Sequence, residues 1–324
     1  MSRFHSQYEY FLYLVERQVI SMEIRCMRTF LMVADLGSFS KAADVLGYTQ
    51  SAVTVQIRQL EQELGLPLFD RNGKCVTLTD VGRSFYDGTM QTVNEMDELI
   101  DSTLSSKELC GELRIGTVES VCSSILPTVL TSFSKTYPKV RVSVEIGSPG
   151  ELLDQLDKNL FDAVYLLDQR IYGSKWTTIL AKPEEVIFVA SPNHPLARQQ
   201  RITLDEVIAC PVMLTEANVS YRRALETYLA AEGKGIRTHL SSASTDLILK
   251  ILCLGGGVSF LPEFTVRNMV TCGSLKVLNI TDFHFRIWRQ ILCSSRRHIS
   301  REMQAFFDIA APEWKNLLTN KTYE

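Results

Sequence analysis

Two short helices separated by a glycine occupy residues 37–60, and this pairing constrains the fold more than any other feature of the sequence. Ser40 is a good N-cap for the first helix, whose apolar residues are Ala42, Ala43, Val45 and Leu46. Gly47 predicts the end of that helix, because glycine adopts the left-handed C-cap conformation at little cost. Thr49 then predicts the cap of a second helix.

The second helix has two chemically different faces. Its apolar face carries Ala52, Val53, Ile57 and Leu60. Around the cap and on the opposite face lie mainly amides, hydroxyls and one arginine: Thr49, Gln50, Ser51, Thr54, Val55, Gln56 and Arg58. This layout is typical of a DNA-reading helix-turn-helix, since glutamine can pair with adenine and hydroxyls can contact bases or phosphates. The alternative is an ordinary pair of amphipathic helices in a small bundle.

A hairpin is predicted directly after the second helix. The pattern indicates strands at 68–70 and 75–78, joined by an Asn72-Gly73 turn, which is a strong hairpin signal. Arg71 and Lys74 flank the turn. A basic hairpin in this position favours a wing that lies on the DNA backbone, and we expect Arg58, Arg71 and Lys74 to contact phosphates.

These pieces resemble the N-terminal winged helix-turn-helix of the LysR-type transcriptional regulators. The matching segments are 27–35, 37–43, 50–61, 64–71 and 76–82, in the family's order and spacing. Ser51 stands where the family often has proline, and Val55 where it often has a basic residue. Because Val55 lacks the positive charge that is common at this position, we expect weaker contacts with the phosphates or a different preference for DNA bases.

The charge of the chain argues against sequence-independent coating of DNA. Its formal net charge is −3 and its pI is near 6.0. Between Met22 and Asp80, six Lys and Arg residues face seven Asp and Glu residues. We therefore expect modest non-specific affinity and reliance on a specific site bound by a dimer.

A long helix is predicted from Thr79 to about Ser106. Its apolar stripe has helical spacing: Val81, Phe85, Val93, Met96, Ile100 and Leu104. The resemblance implies a linker helix that pairs with the same helix of a second copy. The alternative is a helix packed on its own C-terminal domain.

From residue 112 onward, strands and helices alternate, which predicts an α/β fold. The resemblance implies a sensory domain built like a periplasmic binding protein, with two lobes and a ligand cleft. The predicted organisation is an N-terminal extension at 1–21, a winged helix-turn-helix at 22–80, a dimerising linker helix at 79–107, and an effector-binding domain at 112–310. Its lobes are predicted at 112–182 with 275–310, and at 183–274, followed by a tail at 311–324.

Hydroxyl-bearing loops between strands and helices mark the expected effector cleft. Ligands bind at the carboxyl ends of strands in such sheets, and helix starts offer free N–H groups. The pocket loops of the family match Thr117, Val118, Ser120, Ser148, Thr215 and Thr245. The alternative is that these hydroxyls serve only as helix caps. Glu119, in the same loop as Thr117, is unusual and leaves the charge of the effector open.

Catalytic, metal and cofactor sites are not expected. The eight cysteines form no C-x-x-C pair, and the five histidines are dispersed without a metal-binding spacing. We expect reduced thiols, with Cys122, Cys253 and Cys293 packed as small hydrophobes. Hydrolase, phosphate-loop and zinc-protease motifs are missing from the sequence. An enzyme fused to a DNA-binding domain and an architectural DNA-binding protein remain as alternatives.

The expected partners follow from the resemblance. They are double-stranded DNA, a small-molecule effector, further copies of the chain as a homodimer or homotetramer, and RNA polymerase. The apolar run at 10–15 is too short to span a bilayer, so no membrane partner is expected. We expect the protein in the bacterial cytoplasm. Residues 1–21 precede the resemblance, which favours either an additional helix or a start codon placed upstream of the real one.

Overall fold

The computed structural model describes residues 22–70, 76–103 and 108–315. The chain divides into two compact units. The first contains the residues up to Ser105 together with Arg296–His298, and the second contains 106–295 and the residues from Ile299 onward.

The N-terminal unit consists of helices around a small hydrophobic core. Helices α1 (Ile24–Leu36), α2 (Phe39–Leu46) and α3 (Gln50–Leu64) precede a two-stranded sheet, and α4 (Asp80–Thr103) follows it. Strands β1 (Phe69–Asp70) and β2 (Thr77–Leu78) pair antiparallel. Phe30 is fully buried at the centre of this core, with aromatic neighbours at ring distances of 5.2–6.4 Å: Phe69, Phe85 and Tyr86.

The helix caps follow the sequence with one exception. Gly47 ends α2 in a left-handed conformation, and Thr49 Oγ1 accepts the backbone N–H of Ala52 at 3.2 Å. The expected N-cap at Ser40 is wrong. Ser38 caps α2 instead and accepts the N–H of Lys41, which places Ser40 inside the first turn.

Several predicted features fall partly or wholly outside the described residues. Strands β1 and β2 confirm the hairpin, but the Asn72-Gly73 turn and Cys75 lie outside the described residues. The N-terminal extension and the end of the predicted linker helix, 104–106, lie outside them as well. Within the described part of α4, Val93 and Met90 are buried in the core of the N-terminal unit, whereas Leu99 and Ile100 are exposed.

The second unit is an α/β domain, as the alternating pattern predicts. In residues 108–315 it contains nine strands: β3 (Gly111–Thr117), β4 (Val140–Ile146), β5 (Ala163–Asp168), β6 (Trp176–Ala190), β7 (Val212–Leu214), β8 (Thr238–Ser241), β9 (Val258–Pro262), β10 (Lys276–Val277) and β11 (Phe285–Ser294). They form one sheet with the order β4-β3-β5-β11-β6-β9-β7-β8, and β10 pairs with β6.

Helices connect these strands. They are α5 (Glu119–Ser124), α6 (Leu126–Thr136), α7 (Pro149–Asp157), α8 (Leu204–Ile208), α9 (Ser220–Ala231), α10 (Thr245–Cys253), α11 (Glu263–Thr271) and α12 (Arg301–Ala310). Helices α5 and α6 follow each other directly, and Pro127, which suits the first turn of a helix, lies at the start of α6.

Both faces of the sheet are covered. Along β5, Tyr165 and Leu167 pack into one buried cluster, whereas Val164 and Leu166 pack into another. This alternation buries both sides of the strand, as is usual for parallel strands between helices. Strands β3, β4 and β5 form the first lobe, and β7, β8 and β9 form the second.

The long strands β6 and β11 run side by side from one lobe to the other. Strand β11 pairs antiparallel with both β5 and β6, and β6 continues to pair with β9. The predicted lobe boundary at residue 275 differs from the structure. Strand β10 pairs with Val189 and Ala190, and Phe283 packs on Phe260, so the segment 275–285 belongs with the second lobe.

The described cysteines differ in their burial. Cys26 and Cys293 are buried, and all the described cysteines are free thiols. The expectation that Cys253 packs as a small hydrophobe is wrong, because it is exposed near the end of α10.

Candidate functional site

The amino-terminal turns of α3 present a largely exposed surface. Gln50 and Ser51 are exposed, and Val55 retains 61% of its accessible surface. The face that packs into the domain consists of Val53, Ile57 and Leu60. One side of α3 is therefore anchored, and the other is available to a partner.

Hydrogen bonds order the beginning of α3. Thr49 Oγ1 lies 3.0 Å from Ser51 Oγ, and Thr54 Oγ1 donates to the carbonyl oxygen of Gln50 at 2.9 Å. Ser40 Oγ donates to Oε1 of Gln50 at 3.1 Å. The last bond ties the Gln50 amide to α2 across the glycine turn, which reduces the side-chain freedom of Gln50.

The other expected DNA contacts are distributed differently. Gln56 turns toward α1, where its Oε1 accepts the hydroxyl of the buried Thr29 at 2.6 Å. Thr54 is half-buried and Arg58 is exposed. Arg71 and Lys74 lie outside the described residues.

A cavity of about 560 Å³ lies between the two lobes of the second unit. The first lobe contributes the loop after β3, the end of β4 and the loop that leads into α7. The second lobe contributes the loop after β7 and the starts of α9 and α10. The lining residues are Val118, Glu119, Ser120, Ile146, Gly147, Ser148, Pro149, Glu151, Leu167, Thr215, Glu216, Asn218, Val219, Ser220, Tyr221, Ala243, Ser244 and Thr245.

Thr117 is the expected effector residue that does not line this cavity. Its side chain is fully buried, and its hydroxyl donates to the carbonyl oxygen of Tyr165 at 2.8 Å. Thr117 is the last residue of β3 and pairs in register with Tyr165 of β5. The hydroxyl therefore ties two strands together, and the assignment of Thr117 as a ligand contact does not fit the structure.

The remaining expected residues all line the cavity, although some of their polar groups are engaged. Ser148 forms a capping box with Glu151, to which it donates its hydroxyl at 2.7 Å. These hydrogen bonds hold the pKa of Glu151 below its ordinary value. Thr245 donates its backbone N–H to Oε1 of Glu119 at 3.1 Å and its hydroxyl to Oε2 of the same carboxylate. Val118 is half-buried and Ser120 is buried.

The start of α9 contributes residues that the sequence did not single out. Ser220 is 6% exposed, and its Oγ has no hydrogen-bond partner among the described residues. Burial raises the pKa of the Tyr221 hydroxyl, and the nearby Glu119 carboxylate adds to this. The signal that could have identified both residues is their position at a helix start just after the loop that contains Thr215.

The described residues contain no group of three or more His, Cys, Asp and Glu side chains arranged to hold a metal ion. None of their helices combines the length and the apolar composition needed to cross a bilayer.

Two family models match the chain in succession. The model described as "Bacterial regulatory helix-turn-helix protein, lysR family" matches residues 24–83, and the "LysR substrate binding domain" matches residues 106–315. The chain belongs to the LysR family of transcriptional regulators. Its helix-turn-helix is thus the DNA-binding domain of such a regulator, and the cavity lies in the effector-binding domain.

Relatives span nearly the whole LysR-type chain. The HTH-type transcriptional regulator YwqM of Bacillus subtilis is 30% identical over 296 residues, which cover 91% of this chain and 100% of YwqM. The HTH-type transcriptional regulator CzcR of Bacillus cereus is 30% identical over 300 residues, which cover 88% of this chain and 96% of CzcR.

Solved structures agree on the fold of this LysR-family member. A full-length OxyR variant from Pseudomonas aeruginosa superposes with a TM-score of 0.64 at 19% identity, covering 89% of this chain and 94% of that one. Full-length HypT from Salmonella typhimurium superposes with a TM-score of 0.52 at 20% identity, covering 94% of this chain and 99% of HypT. The winged helix-turn-helix followed by a two-lobed α/β domain is therefore confirmed, and this family is not an enzyme family.

Proposed function

We propose that α3 reads bases in the major groove and that the interlobe cavity binds the effector that controls this reading. The exposed polar start of α3 supports the first part, because the recognition helix of a helix-turn-helix contacts base edges with its N-terminal residues. Gln50, Ser51 and Val55 carry this role. Thr49 and Thr54 order the helix start, and Gln56 holds α3 against α1 through Thr29. Arg58, with Arg71 and Lys74, contacts phosphates.

Gln50→Ala is expected to weaken binding to a selected operator about tenfold, since a two-pronged glutamine–adenine contact contributes about 1–3 kcal/mol of discrimination. Binding to random duplex is expected to change less than about twofold, because that binding depends on phosphate contacts. Operators would first be selected from random duplex DNA with the purified chain. Anisotropy titrations at fixed salt would then compare the two DNAs.

Gln62→Ala is the matched control for that experiment. Gln62 is an exposed glutamine at the other end of α3. Gln62→Ala therefore makes the same change of side chain and helix propensity as Gln50→Ala, but it leaves the helix start intact. Equal losses of Gln50→Ala affinity on both DNAs would contradict a base-reading role for Gln50.

The cavity is proposed as the effector site because it lies between lobes that two continuous strands, β6 and β11, connect. A ligand that contacts both lobes can change their relative arrangement if it binds one arrangement better than another. The buried hydroxyl of Ser220 supports this role, because a buried hydroxyl without a partner costs free energy that a ligand would recover. Val118, Ser120, Ser148, Thr215 and Thr245 complete the proposed contacts.

Ser120→Ala is expected to raise the effector concentration needed for a half-maximal response about tenfold and to leave effector-free DNA binding unchanged. The response would be measured as operator affinity titrated with a filtered small-molecule extract of the source cells. Ser123→Ala is the matched control, because Ser123 is an exposed serine on the same helix that does not line the cavity. An unchanged dose–response curve for Ser120→Ala would remove Ser120 from the site.

The proposal extends to assembly. The exposed Leu99 and Ile100 on α4 support pairing of this helix with the same helix of a second copy, as a homodimer or as part of a homotetramer. We further propose that the regulator acts in the bacterial cytoplasm, contacts RNA polymerase at its promoters, and has no catalytic activity of its own.

A further inference from the structure

Two of the helix starts at the cavity, those of α7 and α10, are already occupied by carboxylates of the protein itself. A helix start attracts anions through its free N–H groups and its dipole. At α7, the Glu151 carboxylate accepts the N–H of Ser148 at 3.1 Å. At α10, Glu119 reaches across the cavity and accepts both the N–H and the hydroxyl of Thr245. Two places where an effector carboxylate would bind are therefore filled.

The cavity wall also carries an uncompensated negative charge. Its carboxylates are Glu119, Glu151 and Glu216, and the lining residues, all of which are described, include no Lys, Arg or His. Arg222 lies behind the wall, where its guanidinium donates to Ser241 Oγ at 2.8 Å and pairs with Glu226 at 2.8 Å. That pairing offsets the charge of Arg222, so it does not neutralise the wall.

We propose that the effector of this regulator is an organic cation whose protonated amine binds Glu119. This inference rests on the proposed role of the cavity and specifies the chemistry of its ligand. A carboxylate has about four lone-pair positions, and Thr245 uses two of those on Glu119. Glu119 can therefore accept N–H groups of an ammonium while it still holds the second lobe through Thr245, so the ligand binds without breaking this bridge between the lobes.

A carboxylate effector would bind less favourably than an ammonium at Glu119 and Thr245. It could reach the N–H of Thr245 only by displacing Glu119, which would then remain in a cavity whose described wall has no cation to receive it. Two carboxylates within a few ångströms repel each other strongly in a partly desolvated site. The part of the cavity around Glu119 and Thr245 therefore discriminates against anions.

The test compares three probes with the same five-carbon chain: n-pentylamine, 1-pentanol and pentanoate. Their binding to the full-length chain would be measured by ligand-observed NMR at constant ionic strength. Pentylamine is expected to bind about tenfold or more tightly than pentanoate, the size of one charge-assisted hydrogen bond. Glu119→Gln is expected to lower pentylamine affinity about tenfold and to change pentanol affinity less than about twofold.

Glu119→Gln retains one acceptor oxygen for the Thr245 N–H, and its NH2 group can donate to the Thr245 hydroxyl where Oε2 of Glu119 accepts. The variant should therefore keep the fold, which its melting temperature checks. Glu145→Gln is the matched control, because Glu145 is an exposed carboxylate on β4 outside the cavity wall. The inference would be overturned if pentanoate bound more tightly than pentylamine or if pentylamine did not bind. It would also be overturned if Glu119→Gln left the affinity for pentylamine unchanged.

A cavity-blocking variant separates this failure from failure of the proposed function. Ala243 is exposed and lines the cavity, so Ala243→Trp fills space there without entering the core, and Ala230→Trp on the exposed side of α9 is its control. If pentanoate binds and Ala243→Trp abolishes that binding, the cavity remains the effector site and only its selectivity for cations is rejected. Probe binding and effector response that are both unaffected by Ala243→Trp would reject the cavity itself.

Discussion

Replacing Gly82 with alanine is expected to destabilise the N-terminal unit by about 3 kcal/mol or more, at the upper end of overpacking effects. An alanine Cβ would lie 2.1 Å from the carbonyl oxygen of Leu68 and 3.1 Å from Cδ2 of Leu78. The Leu68 carbonyl cannot easily move away, because it accepts the backbone N–H of Thr79 at 3.0 Å. Thr79 in turn accepts the N–H of Gly82 at 2.9 Å through its hydroxyl.

The melting temperature of the N-terminal unit is expected to fall by about 12 °C or more, since each kcal/mol shifts a domain of this size by roughly 4–8 °C. Operator binding would be lost over the same temperature range, while the transition of the effector domain stays in place. Calorimetry of the full-length chain, together with binding measured across temperature, checks this.

Gly88→Ala is the control in the same helix. Gly88 is exposed, and a Cβ added there would meet no atom within 4 Å. Alanine in a helix interior is favoured over glycine by up to about 1 kcal/mol, so a slightly raised melting temperature is expected. Similar melting temperatures for the two variants would show that the close approach of Gly82 to the Leu68 carbonyl does not limit stability.

Local signals account for what the sequence predicted well. Gly47 and Thr49 act through their own backbone and nearest neighbours, and both have the predicted capping roles. The N-cap of α2 is Ser38 and not the predicted Ser40, which shows the limit of such signals. Two serines two residues apart are equally good caps. Only the packing of α2, which buries Ala42 and Ala43, decides between them.

Long-range contacts account for what the sequence could not predict. Thr117 matches a pocket position by motif, yet its hydroxyl is engaged by Tyr165, 48 residues away. Gln56 belongs to the polar face of α3 by helical spacing, but a hydroxyl of α1 holds its amide. The bond between Glu119 and Thr245 joins residues 126 positions apart and depends on how the lobes meet. Hydrogen bonds of this kind follow from the fold rather than from a local pattern.

The second large effect is expected from Glu184→Gln, which should destabilise the effector domain by about 3 kcal/mol. Glu184 is 5% exposed on β6 and pairs with the guanidinium of Arg289 on β11 at 2.8 Å. Arg289 also donates to the hydroxyl of Tyr165, whose pKa is raised by burial. Removing the charge of Glu184 leaves the Arg289 cation largely buried without its counterion.

Glu185→Gln distinguishes a buried pair from an exposed one within the same strand. Glu185 pairs with Arg286, whose side chain is 71% exposed, and breaking such a pair costs at most about 1 kcal/mol. For a domain of about 200 residues, the two losses correspond to roughly 6–12 °C for Glu184→Gln and at most about 4 °C for Glu185→Gln. Thermal melts of both variants check this difference. Equal shifts would mean that water reaches Arg289, and the ion pair would then contribute little to holding β6 and β11 together between the lobes.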